Sequence, residues 1–356
     1  MYLIDFIKAN DDWEKKLREK PYCISVKRKD NFAIFTYSQI DSDFYSPLVR
    51  ECRGIIIDMN TLTPVCVPFY KFGNYGEGYV PDIDWSTARV QEKVDGSLIK
   101  VWWYLGAWHI STNGTIDAKD ATVDSDIVPY ASFYDLFVEA SRDVLDYSRL
   151  NKEYTYMFEL VSPFNRVVVP YSEFKIYHIG VRNNKTLLEL DENIGIEKPK
   201  SYGLKSLDDC ITAANKLPFS EEGYVVVDGN WNRIKVKSPA YVAAHHLKNN
   251  GVITKARIIA MLRQNEQEEF LNYYPEFKPM FDEVERLTDT FVEKMDTEIA
   301  KEKSLVAHLS RKEFAEIAKK TICPALMFAW IDGKTSGAKE WLLSQSDDKI
   351  AQWITT

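Results

Sequence analysis

The densest chemistry of the chain lies in nine residues, Glu92-Lys-Val-Asp-Gly-Ser-Leu-Ile-Lys100. They set Lys-x-Asp-Gly at the head of an apolar run. There the amine of Lys93 could sit at the floor of a nucleotide pocket and attack a phosphorus. Attack requires an uncharged amine, and a lysine ordinarily titrates at about 10.4, so burial and neighbouring cations must lower it. Lys235-Val-Lys237 could supply those cations, because alternate residues of a strand share one face. Alone, Lys-x-Asp-Gly is common enough to arise by chance, and alternating lysines equally describe a solvated strand face.

Further groups of the right kind follow. Glu222-Gly-Tyr-Val225 opens a β run and would put a carboxylate at the mouth of a sheet, where it suits a divalent metal directly or through water. Phe158-Glu-Leu160 turns Glu159 to the opposite strand face from two large apolar residues, toward water or a cleft, where a ribose hydroxyl is a natural partner. Cys52-Arg-Gly54 precedes an apolar strand, and Lys71-Phe-Gly-Asn-Tyr-Gly76 is a glycine-rich loop with a cation. Both suit phosphate contact, since glycine admits close backbone approach and Arg or Lys supplies charge. Each of these, taken singly, also fits an ordinary surface.

The elements that must position these groups are β-rich up to about residue 245. The spacing predicts strands at 55–57, 97–104, 108–112, 154–160, 167–169, 174–179, 224–227 and 234–237, with the turn of a hairpin at 104–108. Helices are expected near 5–19, 128–147 and 206–216. Strands mixed with segregated helices give an α+β fold on antiparallel sheets. Beyond residue 250 the period changes. Phe277, Met280, Phe281, Val284, Leu287, Phe291, Val292, Met295 and Ile299 recur at mostly three- and four-residue steps, a long amphipathic helix with Pro279 in its first turn. Ser310-x-x-Glu313 is a capping box opening a helix through Ala318, which Pro324 bends or restarts. The expected domains are 1–245 and an all-helical 246–356.

Composition narrows the setting. With 356 residues, 45% hydrophobic and 28% charged, the chain has room for two cores. A formal net charge of -8 excludes a global basic field, so a polyanion must meet a local cleft. Five scattered cysteines without a Cys-x-x-Cys pair argue for reduced thiols in a cytosol-like compartment and against structural zinc. The pair His245-His246 lacks helical ligand spacing and reads as structural or surface. No segment approaches the ~20 apolar residues of a membrane span. Met1-Tyr-Leu-Ile-Asp-Phe6 lacks the basic region of a signal peptide. No feature points to an obligate protein partner.

Lys-x-Asp-Gly, Phe-Glu-Leu, Glu-Gly and Lys-x-Lys, in this order, resemble the covalent nucleotidyltransferase superfamily of ligases and capping enzymes. More closely, the chain resembles the RNA ligase 1 family of T4-like phages. The strings that carry the resemblance are Phe35-Thr-Tyr-Ser-Gln39, Glu51-Cys-Arg-Gly54, Tyr70-Lys-Phe72, Glu92-Lys-Val-Asp-Gly-Ser97, Thr112-Asn-Gly-Thr115, Phe158-Glu-Leu-Val-Ser-Pro163 with Asn165-Arg166, Glu222-Gly-Tyr-Val225 and Lys235-Val-Lys237. They cover residues 35–240.

The resemblance implies an ATP-dependent ligase of RNA ends, acting in RNA (tRNA) repair in a bacterial host cytoplasm, with Mg²⁺, which Mn²⁺ could replace. It makes Lys93 the nucleophile that takes AMP. Tyr37, Arg53, Lys71, Phe72, Glu92 and Gly96 become nucleotide contacts, Arg53 and Lys71 on phosphates. Glu159 would bind the ribose, Glu222 would help hold the metal, and Lys235 and Lys237 would engage the α-phosphate. Asn113 stands where a lysine is expected in close relatives, and Gly73 follows Phe72 where a second aromatic is expected. A DNA ligase or capping enzyme would follow Lys-x-Lys with a β-barrel, which the helical pattern after Lys237 disfavours. A non-catalytic RNA-binding relic is the reading from another class. For the C-terminal helices the family suggests recognition of tRNA-like ends. The basic residues Lys248, Lys255, Arg257, Arg311, Lys312, Lys319 and Lys320 read rather as solvated helix surface.

Overall fold

The computed structural model describes residues 1–123, 130–246, 253–303 and 309–355. The chain divides into two compact units, Met1–His245 and His246–Thr356.

The first unit holds three antiparallel sheets. Helices α1 (Tyr2–Ala9) and α2 (Trp13–Arg18) precede β1 (Ile24–Lys29) and β2 (Phe32–Tyr37). Next come α3 (Pro47–Glu51), β3 (Arg53–Asp58) and β4 (Thr63–Cys66), and the four strands pair in sequence order. Leu3, Leu17 and Val49 of the helices pack on one face of this sheet, against Phe35, Ile55 and Ile57. Strand β5 (Arg89–Glu92) then leads to β6 (Ser97–Tyr104) and β7 (Ala107–Thr112). Helix α4 (Phe133–Ser141) then precedes β8 (Tyr154–Val161), β9 (Lys175–Asn183) and β10 (Glu189–Leu190), which complete a second sheet of order β10-β9-β8-β6-β7. The third sheet, β11-β5-β12-β13, joins β5 to β11 (Ser201–Tyr202), β12 (Gly223–Val227) and β13 (Arg233–Lys237), with α5 (Leu207–Ala214) between and α6 (Pro239–His246) after.

Two-residue alternation explains how the second sheet serves both a core and a site. On β6 and β8, Ile99, Val101, Phe158 and Leu160 enter a core with Leu136 and Phe137 of α4. Each such side chain contributes about 1.5–3 kcal/mol by burial. The residues between them, Leu98, Lys100, Trp102 and Glu159, turn the other way. Trp102 there packs with Phe32, Ile34 and Ile56 of the first sheet. The hairpin reading at 104–108 holds: Tyr104 pairs with Ala107, and Leu105 and Gly106 both take positive φ, as a two-residue turn between right-twisted strands requires.

Three expectations are corrected. The helix near 5–19 is two helices, parted at Asn10-Asp-Asp12, whose side chains compete for backbone groups and favour helix ends. The helix near 128–147 reduces to α4 and a 3₁₀ turn at Tyr147–Arg149, because Ser132 and Asp135 form a capping box that starts α4; residues 128 and 129 lie outside the described residues. The run 167–169 is not a strand. The amides of Val168 and Val169 donate to the Asp95 carboxylate instead of a ladder.

In the second unit, helices α7 (Lys255–Arg263), α8 (Gln267–Tyr273), α9 (Lys278–Lys303), α10 (Arg311–Ala318), α11 (Pro324–Ile331), α12 (Ala338–Leu343) and α13 (Asp347–Trp353) follow without a strand among the described residues. Helix α9 buries Phe281, Val284, Phe291, Met295 and Ile299, while Met280 falls off the stripe and is exposed. Ser310 and Glu313 make both bonds of the capping box, and Pro324 restarts the chain as the first residue of α11. Of the basic residues, Lys255, Arg311 and Lys319 pair with Glu283, Asp332 and Glu316, as a solvated helix surface would; Lys248 lies outside the described residues. No described helix is long and apolar enough to cross a membrane. All five cysteines are free.

Candidate active site

The three sheets of the first unit converge on a cavity of about 330 Å³. Tyr37 and Arg53 reach it from the first sheet, Leu98, Glu159 and Ile179 from the second, and Gln91, Glu92, Val225, Arg233 and Lys235 from the third. Phe72, Lys93, Gly96 and Asn113 enter from loops and strand ends. Of the residues singled out in the sequence, Tyr37, Arg53, Phe72, Glu92, Lys93, Gly96, Glu159 and Lys235 therefore share one wall system.

Lys93 Nζ lies 2.7 Å from Glu222 Oε2, with the Lys93 side chain 20% exposed and that of Glu222 4%. Lys237 Nζ stands 3.6 Å from the other oxygen of the same carboxylate. Backbone bonds hold this group together. The Lys93 amide donates to the Gly223 carbonyl at 2.8 Å, and the Ser238 amide donates to that of Glu222 at 2.8 Å. Gly223 takes φ +134°, and a Cβ there would run into the Val236 carbonyl and come within 2.7 Å of Lys237 Cα. Only glycine therefore lets β12 begin beside β13 with Glu222 turned toward Lys93.

Glu159 lies deep in the cavity. Burial pushes its carboxyl up to about 7, opposed by the positive charge of Lys93 and reinforced by the negative charge of Glu222. Arg53 leaves Nη1 buried without a hydrogen-bond partner, an unmet donor in the site. Its guanidinium lies 5.1 Å from the centre of the Phe72 ring, and Lys235 Nζ lies 5.2 Å from the same centre. Burial raises the Tyr37 phenol, against the pull of Arg53.

Phe72 is brought here because residues 73–75 bond to β13. The Lys235 amide donates to the Gly73 carbonyl at 3.0 Å, and the Tyr75 amide donates to that of Lys235 at 2.9 Å. A side chain at position 73 would meet those of Glu77, Val80 and Tyr79, which would have to shift to admit a second aromatic. Lys71 is placed elsewhere. It lines an adjoining cavity of about 230 Å³, with its ammonium 4.9 Å from the Phe44 ring centre and 5.6 Å from that of Tyr37. Lys237 and Glu222 stand behind Lys93 rather than on the cavity wall.

Sequence reasoning passed over three features. Arg233 lines both cavities and pairs with Glu189 at 2.6 Å; the alternation of Lys235 and Lys237, continued one step back, points to it. Lys100 is fully buried, and its place in an apolar strand was the signal. Asp95, read only as part of the motif, is a structural hub. One of its oxygens takes the amides of Val168 and Val169, and the other takes the Tyr241 hydroxyl of α6 at 2.7 Å.

The chain is 32% identical over 271 residues to a "Putative bifunctional polynucleotide kinase/RNA ligase" of Autographa californica nuclear polyhedrosis virus, covering 69% of this chain and 38% of that protein. It is 27% identical over 341 residues to an "RNA ligase" of Rhodothermus phage RM378, covering 76% of each. A "Putative RNA ligase" of Thermovibrio ammonificans is 28% identical over 251 residues, 65% of this chain and 63% of that one. Over most of its length the chain is thus similar to proteins named as RNA ligases in a virus, a phage and a bacterium. It spans well under half the length of the viral relative and about three quarters of the phage one. No family model matches the chain. Among solved structures, an archaeal ATP-dependent RNA ligase aligns over 81% of this chain and 82% of its own, at 13% identity and a TM-score of 0.48.

Proposed function

We propose that this chain is an ATP-dependent RNA ligase that joins a 5′-phosphate to a 3′-hydroxyl through a lysyl-AMP and an adenylylated RNA. The observation that carries the reading is the Lys93 amine at the cavity wall, beside Glu222 and among Arg53, Lys235 and Glu159. Similarity to proteins named as RNA ligases supports the choice of acceptor.

In the first step the lone pair of Lys93 Nζ forms an N–P bond at the α-phosphorus of ATP. The P–O bond to pyrophosphate breaks, and the amine loses its proton. An oxygen of the RNA 5′-phosphate then attacks the same phosphorus and frees Lys93. In the third step the 3′-hydroxyl attacks the activated 5′-phosphate, a phosphodiester forms, and AMP leaves. All three are displacements at phosphorus, in which fixed cations stabilise the charge that develops. Arg53, with its unmet donor, and Lys235 are the cavity cations for the phosphates. Lys237 steadies Glu222 from behind, and Glu159, once ionised, accepts from the ribose. Tyr37 and Phe72 offer aromatic surface to the adenine. Lys71 would reach only the far end of the triphosphate, from the adjoining cavity.

The residues fit a divalent cation that arrives with the nucleotide. Among the described residues no three His, Cys, Asp or Glu are grouped to hold a metal of their own, whereas one or two carboxylates plus substrate phosphates suit Mg²⁺ or Mn²⁺. Glu222 would be the protein ligand, and the ion would neutralise phosphate charge and draw the carboxylate away from the Lys93 ammonium. The natural setting we infer is repair of broken RNA, tRNA-like ends included, in a cytoplasm.

Incubation with ATP radiolabelled in its α-phosphate and Mg²⁺, without RNA, should give a labelled 41.2 kDa band on denaturing electrophoresis. Lys93→Ala should abolish it. Folded protein that takes no label, even after pyrophosphate has stripped any bound AMP, rules the reading out.

A further inference from the structure

Lys100 is fully buried on β6, two residues from Leu98 of the cavity wall and two from Trp102 of the inter-sheet core. A buried ammonium is costly unless an anion or a well-placed dipole offsets the loss of water. Among the described residues no carboxylate pairs with Lys100, and the charged or titratable groups that act on it are Arg53 and Cys66. Gly54 and Arg53 face it from β3, Cys66 from β4, and it pairs across the sheet with Ser111 on β7 and Met157 on β8. Its ammonium donates to the Gly54 carbonyl. Gly54 takes φ +76°, and a Cβ there would lie 2.9 Å from Lys100 Nζ and 3.1 Å from Asn113 Oδ1. Lys100, Gly54 and Asn113 thus meet in one corner, and Arg53 and Asn113 present that corner to the cavity.

We propose that Lys100 is a positioning residue of the nucleotide cavity: from behind the wall it fixes the Arg53–Gly54 corner and adds positive charge toward the phosphates of a bound nucleotide. The inference rests on the ligase reading above. It explains why a lysine with no counter-ion among the described residues is kept in the core, since the anion it complements comes and goes with the substrate. Burial lowers the amine to about 8, with Arg53 acting in the same direction and Cys66 against it. The amine is therefore charged at neutral pH and loses its proton within an accessible range.

ATP binding to the full chain, measured by calorimetry in a Lys93→Ala background so that no covalent transfer intervenes, tests the assignment. At pH 7, adding Lys100→Met should weaken ATP by about ten-fold or more, the size expected for losing a charged hydrogen-bond donor. The ratio should narrow at pH 9, where the parent protein's own Lys100 is discharging. A purely structural lysine would give no such convergence. Equal affinity at pH 7, or a ratio unchanged between pH 7 and 9, overturns the inference. Should Lys100→Met fail to fold, Lys100→Gln is read in the same way. The two readings part cleanly: label on Lys93 with unchanged ATP binding removes only the role of Lys100, whereas no label on the unmodified protein removes the ligase reading and this inference with it.

Discussion

At the scale of single residues, the site is a balance between two carboxylates held in different ways. Glu222 is committed to lysines on both oxygens, whereas Glu159 is desolvated and its carboxyl rises to about 7. A carboxyl raised from its ordinary value near 4.5 binds its proton more tightly folded than unfolded. Its favourable contribution is present below about 4.5 and is lost as pH climbs through about 7. Replacing Glu159 by Gln removes a cost of up to roughly 2–3 kcal/mol at pH 8 and almost none near pH 4. Thermal unfolding of Glu159→Gln against the parent should therefore show a gain at pH 8 that shrinks steadily toward pH 4.5. A gain of the same size at both ends would mean that the carboxyl is not perturbed. The same variant should lose lysyl-AMP formation, so stability and activity move in opposite directions at this position.

At the scale of elements, β12 and β13 carry the machinery, and the turn into β12 sets its geometry. Gly223→Ala must either open the β12–β13 pairing or abandon φ +134°. The expected cost is about 2 kcal/mol or more, read as a lowered unfolding midpoint together with loss of Lys93 labelling. An alanine variant of wild-type stability that still labels would show that the clamp between Lys93 and Gly223 does not hold the site.

Elements were legible in the sequence where period and composition agreed. The two faces of β6 and β8 are spelled out by Ile99, Val101, Phe158 and Leu160 against Lys100 and Glu159. The two-residue strands β10 and β11 carry no period at all, and Ile24-Ser-Val-Lys-Arg-Lys29 is too polar at its end to announce β1. Val167-Val-Val169 reads as a strand from β-branching alone, because nothing local reveals a carboxylate more than seventy residues earlier that takes its amides. For the same reason Phe72, which lines both cavities, and Lys71, which lines only the adjoining one, could not be told apart before the 73–75 segment was seen against β13.

At the scale of the molecule, every residue lining the main cavity lies between Tyr37 and Lys235, inside the first unit, which has several hydrophobic clusters of its own. A fragment of residues 1–245 should unfold cooperatively and still take AMP onto Lys93, with whatever is lost falling on the later, RNA-dependent steps. Labelling of the fragment with ATP alone, beside sealing of an RNA by the full chain, separates the two. A fragment that folds but cannot be labelled would place part of the nucleotide site in the second unit. The chain carries a formal net charge of -8, yet four cations face two carboxylates across the cavity wall; attraction of a nucleotide is thus local and should weaken with added salt.

Asp95 ties residues 168, 169 and 241 to the nucleophile's own strand of sequence without facing the cavity. A loss-of-function screen would rank it beside Lys93, and its place in Lys-x-Asp-Gly would invite a chemical role. The bonds it makes describe a keystone instead: remove it and the arch falls, though it never touches what passes beneath.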